Sequence, residues 1–232
     1  MKKIITLLAL VLFASSAQAG SFGVGVTGNI AAIAAAGTEK DTNGAADTTD
    51  ANGGSLRDAT SSNNTFIGSV FAEYSMDNGF TFGVDYIPGS ADVSSKKISR
   101  EDVAVATALG GAENDARTNT AQAEIENHIT IYAEVPLHAG MYVKGGYVEM
   151  DVNTLETSTL ATASTYKNET VDGVLFGLGY KNSFGNNGYY KVEGSHTEFD
   201  TLVLSSSTTD KGNTISADVD VTKITLAVGY SF

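Results

Sequence analysis

The chain of 232 residues contains no cysteine, only three histidines, and few basic residues, with 14 Lys and Arg against 27 Asp and Glu. Without cysteine it can form no disulfide bond, thiol nucleophile or cysteine-ligated metal site. Three histidines leave little material for metal binding or acid–base catalysis. The formal net charge of −13 repels phosphate backbones, so no nucleic-acid partner is expected. These deficits argue against most enzyme classes and against nucleic-acid-binding proteins.

Long apolar runs are equally scarce, and the clearest one lies at the start of the chain. Lys2 and Lys3 precede an apolar run at 4–13, and Ala17 and Ala19 then form the small-x-small pattern that signal peptidase recognises. This order predicts a signal peptide at 1–19 and one domain at 20–232. The run is too short for an anchoring helix, which needs about 20 apolar residues. The domain is therefore either soluble outside the inner membrane or enters a membrane as strands.

From residue 20 onward, apolar residues alternate with glycine, threonine or charged residues, a period of two that is typical of β-strands. Eight strands are predicted, at about 21–36, 65–76, 80–86, 124–135, 141–152, 170–181, 190–197 and 223–232. Short connections at 77–79, 136–140 and 182–188 alternate strictly with long polar ones at about 37–64, 88–123, 153–169 and 200–216. The pattern predicts an all-β protein, an eight-stranded antiparallel up-and-down barrel with its long loops at one end.

The two faces of these strands favour a membrane barrel over a soluble one. One face is apolar, whereas the other combines glycines with seven charged residues: Glu73, Asp85, Glu134, Lys144, Lys191, Glu193 and Lys223. A barrel in lipid needs its apolar face outside, and eight strands leave interior space only for side chains. We therefore expect the seven residues to form a network of compensating charges in the lumen. Folding the third hairpin about 182–188 places Lys191 near Gly179 and Glu193 near Gly177.

The aromatic residues of the apolar face lie near the short turns or the termini: Phe22, Tyr74, Phe80, Tyr180, Tyr190, Tyr230 and Phe232. They are predicted to form a belt at one membrane interface, although ordinary hairpin aromatics are the alternative. The fifth strand departs from the simple pattern. Its apolar residues first occupy odd-numbered positions, such as Val143 and Tyr147, and then even-numbered positions, Val148 and Met150. A bulge at Gly145 and Gly146 is predicted to exchange the two faces of that strand.

The final strand alternates apolar residues up to Phe232, the last residue of the sequence. With residues 173–180 (GVLFGLGY) and 227–232 (AVGYSF), the chain from residue 20 onward resembles the small eight-stranded OmpA/OmpX-like outer-membrane β-barrel family. The resemblance implies a bacterial outer-membrane location, with short periplasmic turns and long extracellular loops. It implies outer-membrane lipid and lipopolysaccharide, periplasmic chaperones and the barrel assembly machinery as partners. Tyr230 and Phe232 are then expected to belong to the assembly signal.

Some polar residues could carry chemistry, but each has a simpler interpretation. Ser195 and His196 are adjacent, with Glu198 nearby, yet neighbouring residues of a strand point to opposite faces and cannot readily share a proton. His128 is expected as a polar residue of the lumen, and His138 as a solvated residue of a turn.

Two loop clusters raise the question of bound ions. Asp41, Asp47 and Asp50 offer oxygen ligands for calcium, but their spacing matches no EF-hand or glycine-rich repeat. Residues 94–97 (SSKK) and Arg100 form a basic cluster that could contact lipopolysaccharide phosphates; a charged surface loop is the simpler interpretation. We expect no catalytic residues, no metal and no cofactor.

Three functions follow in order of preference. The first is a non-enzymatic outer-membrane protein with a structural or surface-interaction role, whose barrel displays four long external loops. The second is a narrow porin-like channel for ions or small solutes, although open aqueous channels usually need about 16 strands. The third, a membrane-embedded enzyme, lacks a catalytic constellation.

Overall fold

A computed structural model describes residues 20–41, 56–93, 98–103, 116–158, 165–207 and 213–232. The predicted signal peptide lies outside these residues. The elements are ten strands: β1 (Gly20–Asp41), β2 (Leu56–Met76), β3 (Thr81–Asp92), β4 (Ile98–Val103), β5 (Ala116–Pro136), β6 (Met141–Ser158), β7 (Glu169–Phe184), β8 (Gly188–Phe199), β9 (Leu202–Ser205) and β10 (Asn213–Ser231). Over the same residues, no helix is sufficiently long and apolar to span a membrane.

Eight of these strands close into a ring in the order β1-β2-β3-β5-β6-β7-β8-β10, and β10 pairs back onto β1. Every pairing is antiparallel. Strand β4 pairs with β5 beyond the end of β3, and β9 pairs with β10 beyond the end of β8. The predicted eight-stranded up-and-down barrel is confirmed, and ring closure leaves no unpaired edge near the short turns.

The strands extend further than the alternation indicated. The strands β1, β2 and β5 have 22, 21 and 21 residues, whereas a membrane-spanning strand needs about 9–11. Parts of the predicted long connections are therefore paired sheet, and β1 pairs with β2 as far as Lys40 and Leu56. These parts escaped prediction because serine, threonine and asparagine follow one another on both faces there, and the apolar period disappears.

Close to the short turns, the outside of the barrel is apolar and its inside is polar, as the facing argument predicts. In β1, Val26 and Ile30 are exposed while Asn29 is buried. Further toward the long connections the outward residues become polar and acidic, as with Glu198 and Asp220. The outward apolar stretch runs from Phe22 to Ile30 in β1 and from Ile224 to Phe232 in β10, close to the length of about 9–11 residues that crosses a bilayer.

The interior changes in the opposite sense. Beyond the polar level it is filled by an apolar cluster: Ala31, Ile33, Val93, Ile125, Val148, Met150, Val152, Val171, Leu175, Phe199, Leu202, Leu204, Val219 and Val221. This end of the barrel, apolar inside and polar outside, is built like a soluble barrel. The barrel thus reverses its polarity along its axis.

This reversal explains why the predicted bulge at Gly145 and Gly146 is wrong. Strand β6 keeps one face inward throughout, with Tyr142, Val148 and Met150 all buried. Its pairing with β5 passes through both glycines without interruption. The apolar residues after Gly146 change the character of the lumen, and the strand does not change its facing. The observed irregularities lie between Ile87 and Ser90 of β3 and between Glu126 and Ile129 of β5.

Candidate functional site

The polar half of the lumen is built around Glu73 of β2. Its carboxylate accepts hydrogen bonds from Lys181 at 2.8 Å, from the Tyr132 hydroxyl at 3.0 Å and from Lys191. The Lys191 amine also donates to Glu134 at 2.7 Å. Both carboxylates and Lys191 are at least 95 % buried, so the two ion pairs of Lys191 are shielded from bulk solvent, whereas the Lys181 side chain is 27% exposed.

A second ion pair continues this cluster. The Lys144 amine lies 3.1 Å from both carboxylate oxygens of Glu193, and the Tyr142 hydroxyl donates to the same carboxylate at 3.0 Å. Three lysines and three glutamates therefore face one another, and their charges cancel. Such compensation is what allows charges to be buried in a narrow lumen.

Four aromatic rings fill the space around these charges, each lying over a glycine of the adjacent strand. The pairs are Phe71 over Gly25, Tyr132 over Gly83, Tyr142 over Gly179 and Tyr189 over Gly229, and in each a Cβ on the glycine would collide with the ring. All four ring centroids lie 5.4–6.0 Å from the Lys191 amine, within the range of cation–π attraction. We call the six charged residues and four rings the charge plug.

The structure places all seven charged residues of the predicted network in the lumen, but not all in the plug. Asp85 accepts a hydrogen bond from the Ser69 hydroxyl at 2.6 Å and forms no ion pair within the described residues. Lys223 is buried without an ion pair in the same part of the chain. Lys181 is a member that the sequence argument missed. Lys181 follows the outward Tyr180 directly, so the alternation of the strand places Lys181 on the inward face, and this could have been read from the sequence.

The register predicted for the third hairpin is wrong by two residues. Lys191 pairs with Lys181, and Glu193 pairs with Gly179. The strands run to Phe184 and restart at Gly188, so the turn is shorter than 182–188. A shift of two residues keeps every side chain on its predicted face, which is why the lumen assignment survives the error.

Above the charge plug lies an apolar chamber. It is a cavity of about 30 Å³ whose main lining residues are Ile33, Ile67, Ile87, Ala91, Ile125, Met150 and Val221. Lys223 and His128 also line it. Lys223 in addition borders a second cavity of about 30 Å³ within the polar half, next to Asp85 and Thr130. The amine therefore lies between the polar and the apolar halves of the lumen.

The chamber lies against the wall between β2 and β3, at a level where their backbone pairing is interrupted. These strands pair only from Val70 to Ser75 of β2, and within the described residues β2 beyond Val70 pairs with β1 alone. Strand β3 bulges at this level, where Pro88 has no N–H to donate and Gly89 has a φ of +88°. Gly89 and Ser90 are exposed and line the chamber. We call this interruption of the backbone pairing the side window; the Asn63 amide bridges it by donating to the Asp92 carbonyl at 2.8 Å.

The other candidate groups do not assemble. Ser195 is buried in the lumen, whereas His196 faces outward, where its Nδ1 lies 2.9 Å from the Thr222 hydroxyl and its Nε2 lies 3.9 Å from Glu198. Asp47, Asp50 and residues 94–97 lie outside the described residues, as do the side chains of Asp41 and Arg100. No group of three potential metal ligands occurs in the described part of the chain.

Aromatic side chains mark the rim formed by the short turns and the termini. Phe232 packs against Phe22 with ring centroids 6.4 Å apart and against Tyr230 at 5.2 Å. Tyr180 and Tyr190 lie 6.2 Å apart farther round the rim. The contacts across β1 and β10 join the two ends of the ring.

The closed ring with its apolar outer band is the fold of a small outer-membrane β-barrel. No protein-family model matches the chain, and no curated protein matches it significantly in sequence. The chain is similar to the solved structure of the outer membrane protein AlkL, with 13% identity, a TM-score of 0.47, and coverage of 93% of this chain and 91% of that one. It is similar to OprG from Pseudomonas aeruginosa, with 10% identity, a TM-score of 0.49, and coverage of 93% and 97%. It is also similar to the outer membrane protease OmpT from Escherichia coli, with 9% identity, a TM-score of 0.44, and coverage of 94% of this chain and 99% of that one.

Proposed function

We propose that this protein is a non-enzymatic barrel of the bacterial outer membrane whose sealed lumen makes it a surface platform. The observation that carries the proposal is the charge plug. Six compensating charges and four rings occupy the lumen at the level of the outward apolar band. Because a lumen closed in this way does not conduct solutes, the function of the protein is assigned to the part that extends beyond the membrane.

The extension itself supports a surface role. The strands β1, β2 and β5 continue for about ten residues beyond the span that lipid requires, so their ends lie away from the membrane. The outward residues of this part are largely polar and acidic, which suits exposure to water. The apolar cluster inside it supplies a packed core for this part of the barrel.

Conductance in planar bilayers tests the sealed lumen. The wild-type protein is expected to be electrically silent. The double variant Glu73→Ser with Lys191→Ser removes the central ion pair and is expected to conduct, provided that it still shows heat-modifiable migration in gels. Steady, ion-selective conductance of the wild-type protein would instead favour the narrow channel.

A further inference from the structure

Lys223 and Asp85 are the two charges of the predicted lumen network that stand outside the charge plug. Lys223 is 7% exposed, and among the described residues no carboxylate lies within 4.0 Å of its amine. Asp85 accepts a hydrogen bond from the Ser69 hydroxyl through its Oδ2 and has no ion pair in the same part of the chain. Charges of opposite sign are costly to bury when neither is solvated nor paired, so each of the two needs a polar partner.

Both residues border the same small cavity in the polar half of the lumen. Its volume is about 30 Å³, and Lys223, Asp85 and Thr130 are among the residues that line it. The Thr130 hydroxyl is buried and has no hydrogen-bond partner within the described residues. A cavity of this volume holds one or two water molecules and nothing much larger.

The chemistry of the lining favours water over an ion. A buried water usually makes about three hydrogen bonds to polar groups that otherwise lack a partner, and the amine, the carboxylate and the Thr130 hydroxyl supply three. An anion in the same place would face the carboxylates of Asp85 and Glu193, and a cation would face the amines of Lys144 and Lys223. Water is neutral and both donates and accepts, so it suits all of these groups.

We propose that an ordered water molecule in this cavity bridges the Lys223 amine and the Asp85 carboxylate, with the Thr130 hydroxyl as its third partner. The amine donates to the water oxygen, and the water donates to the carboxylate. The two charges stay separated by the water, so their attraction is weaker than that of the direct ion pairs of the plug. The bridge is independent of the surface role proposed above, and it brings the formal charge of the whole lumen network to zero.

A high-resolution crystal structure of the full barrel, from crystals grown in sodium bromide, tests the bridge directly. Density for a water is expected within about 2.7–3.2 Å of both the Lys223 amine and the Asp85 carboxylate, without anomalous scattering from bromide. An anomalous peak in the cavity would mean that an anion accompanies Lys223, and it would overturn the proposal. Direct contact between the two side chains, or a cavity without density, would overturn it equally.

A double-mutant cycle measures the same bridge by urea unfolding in lipid vesicles. Lys223→Met alone removes both the desolvation cost of the amine and its attraction to Asp85, so only the cycle with Asp85→Asn isolates the pair. The unfolding equilibrium constant of the double variant is expected to differ about threefold or more from the value that the single variants predict by additivity. Repeating the cycle in a Thr130→Val background, which removes the third partner of the water, is expected to reduce this coupling.

Glu126→Gln combined with Lys223→Met is the matched control, because Glu126 borders the other cavity beside Lys223 and not the one beside Asp85. The effects of the control pair are expected to be additive within about twofold. Additive effects of Asp85→Asn and Lys223→Met would contradict the bridge. Equal coupling in the control cycle would assign the effect to charge alone and would contradict it as well.

Discussion

Lys191 and Lys223 are buried in the same lumen, yet their surroundings give the two amines opposite energetic effects. Lys191 bonds to Glu73 and Glu134, and four aromatic rings surround it. Lys223 has no ion pair among the described residues. Replacing each lysine by the same uncharged residue therefore measures how much charge compensation contributes to the stability of the barrel.

Lys191→Met is expected to lower the free energy of unfolding by about 3–5 kcal/mol, because it leaves the buried Glu134 without a cation and Glu73 with Lys181 alone. Lys223→Met, the matched control, removes an uncompensated charge and is expected to leave stability unchanged or higher. Urea unfolding in lipid vesicles measures both. Equal losses of unfolding free energy in the two variants would mean that the ion pairs of Lys191 do not stabilise the barrel.

The glycine and aromatic pairs of the plug make a second residue-scale prediction. Gly179→Ala places a Cβ against the Tyr142 ring and the neighbouring structure must shift, at a cost of about 1–3 kcal/mol. Gly145→Ala is the control, since Gly145 faces outward and no atom lies within 4 Å of its added Cβ. Both variants are compared in the same unfolding assay. A control that loses as much stability as Gly179→Ala would contradict the packing explanation.

The sequence predicted which charged residues face the lumen, because facing depends only on the parity of the alternation. It did not predict their partners, which depend on register. The two-residue shift of the third hairpin brought Lys181, and not Gly179, opposite Lys191. The isolation of Lys223 depends on contacts across the lumen, and no local pattern encodes those contacts.

At the scale of the elements, the seam between β1 and β10 joins the two ends of the ring. Nineteen residue pairs continue it from Gly23 and Ser231 to Asp41 and Asn213. At the rim, the Phe232 N–H donates to the Phe22 carbonyl at 2.8 Å and the two rings stack. Backbone pairing and aromatic contact thus fix the same end of the seam.

Phe232→Asp is expected to reduce insertion into the outer membrane more than Ser231→Asp does. Phe232 is 72% exposed on the lipid-facing side, so a carboxylate there is placed in the interfacial region and loses the stacking on Phe22. Ser231 lies on the other face of the strand. Membrane fractionation and heat-modifiable migration measure insertion. Normal membrane levels of Phe232→Asp would contradict a role for this side chain in assembly.

The strands differ in how well the sequence pattern predicts them, depending on whether they lie in lipid or in water. All eight barrel strands were predicted from alternation, since lipid on one side and a polar lumen on the other enforce it. The extensions of β1, β2 and β5 were missed because they lie in water beyond the lipid. Small polar residues are accepted on both of their faces, so no apolar alternation marks them as strands. The window at Pro88 and Gly89 also had no signal, because a proline and a glycine are equally common in loops.

At the scale of the whole molecule, the barrel passes from one solvent into another and its two faces exchange character. In lipid the apolar residues face outward and the charges face one another inside. Beyond the lipid the apolar residues turn inward and the acidic ones outward. The bilayer boundary must therefore fall where both changes occur, near Ile30 of β1 and Ile224 of β10.

Site-directed spin labelling tests this reversal most directly, since the chain has no cysteine of its own. Leu226→Cys and Asp218→Cys place labels on the same outward face of β10, about 26 Å apart along the strand. In lipid vesicles, the label at 226 is expected to be accessible to oxygen but not to a polar nickel complex, and the label at 218 to show the opposite preference. Two labels with the same preference would contradict a membrane boundary between these positions.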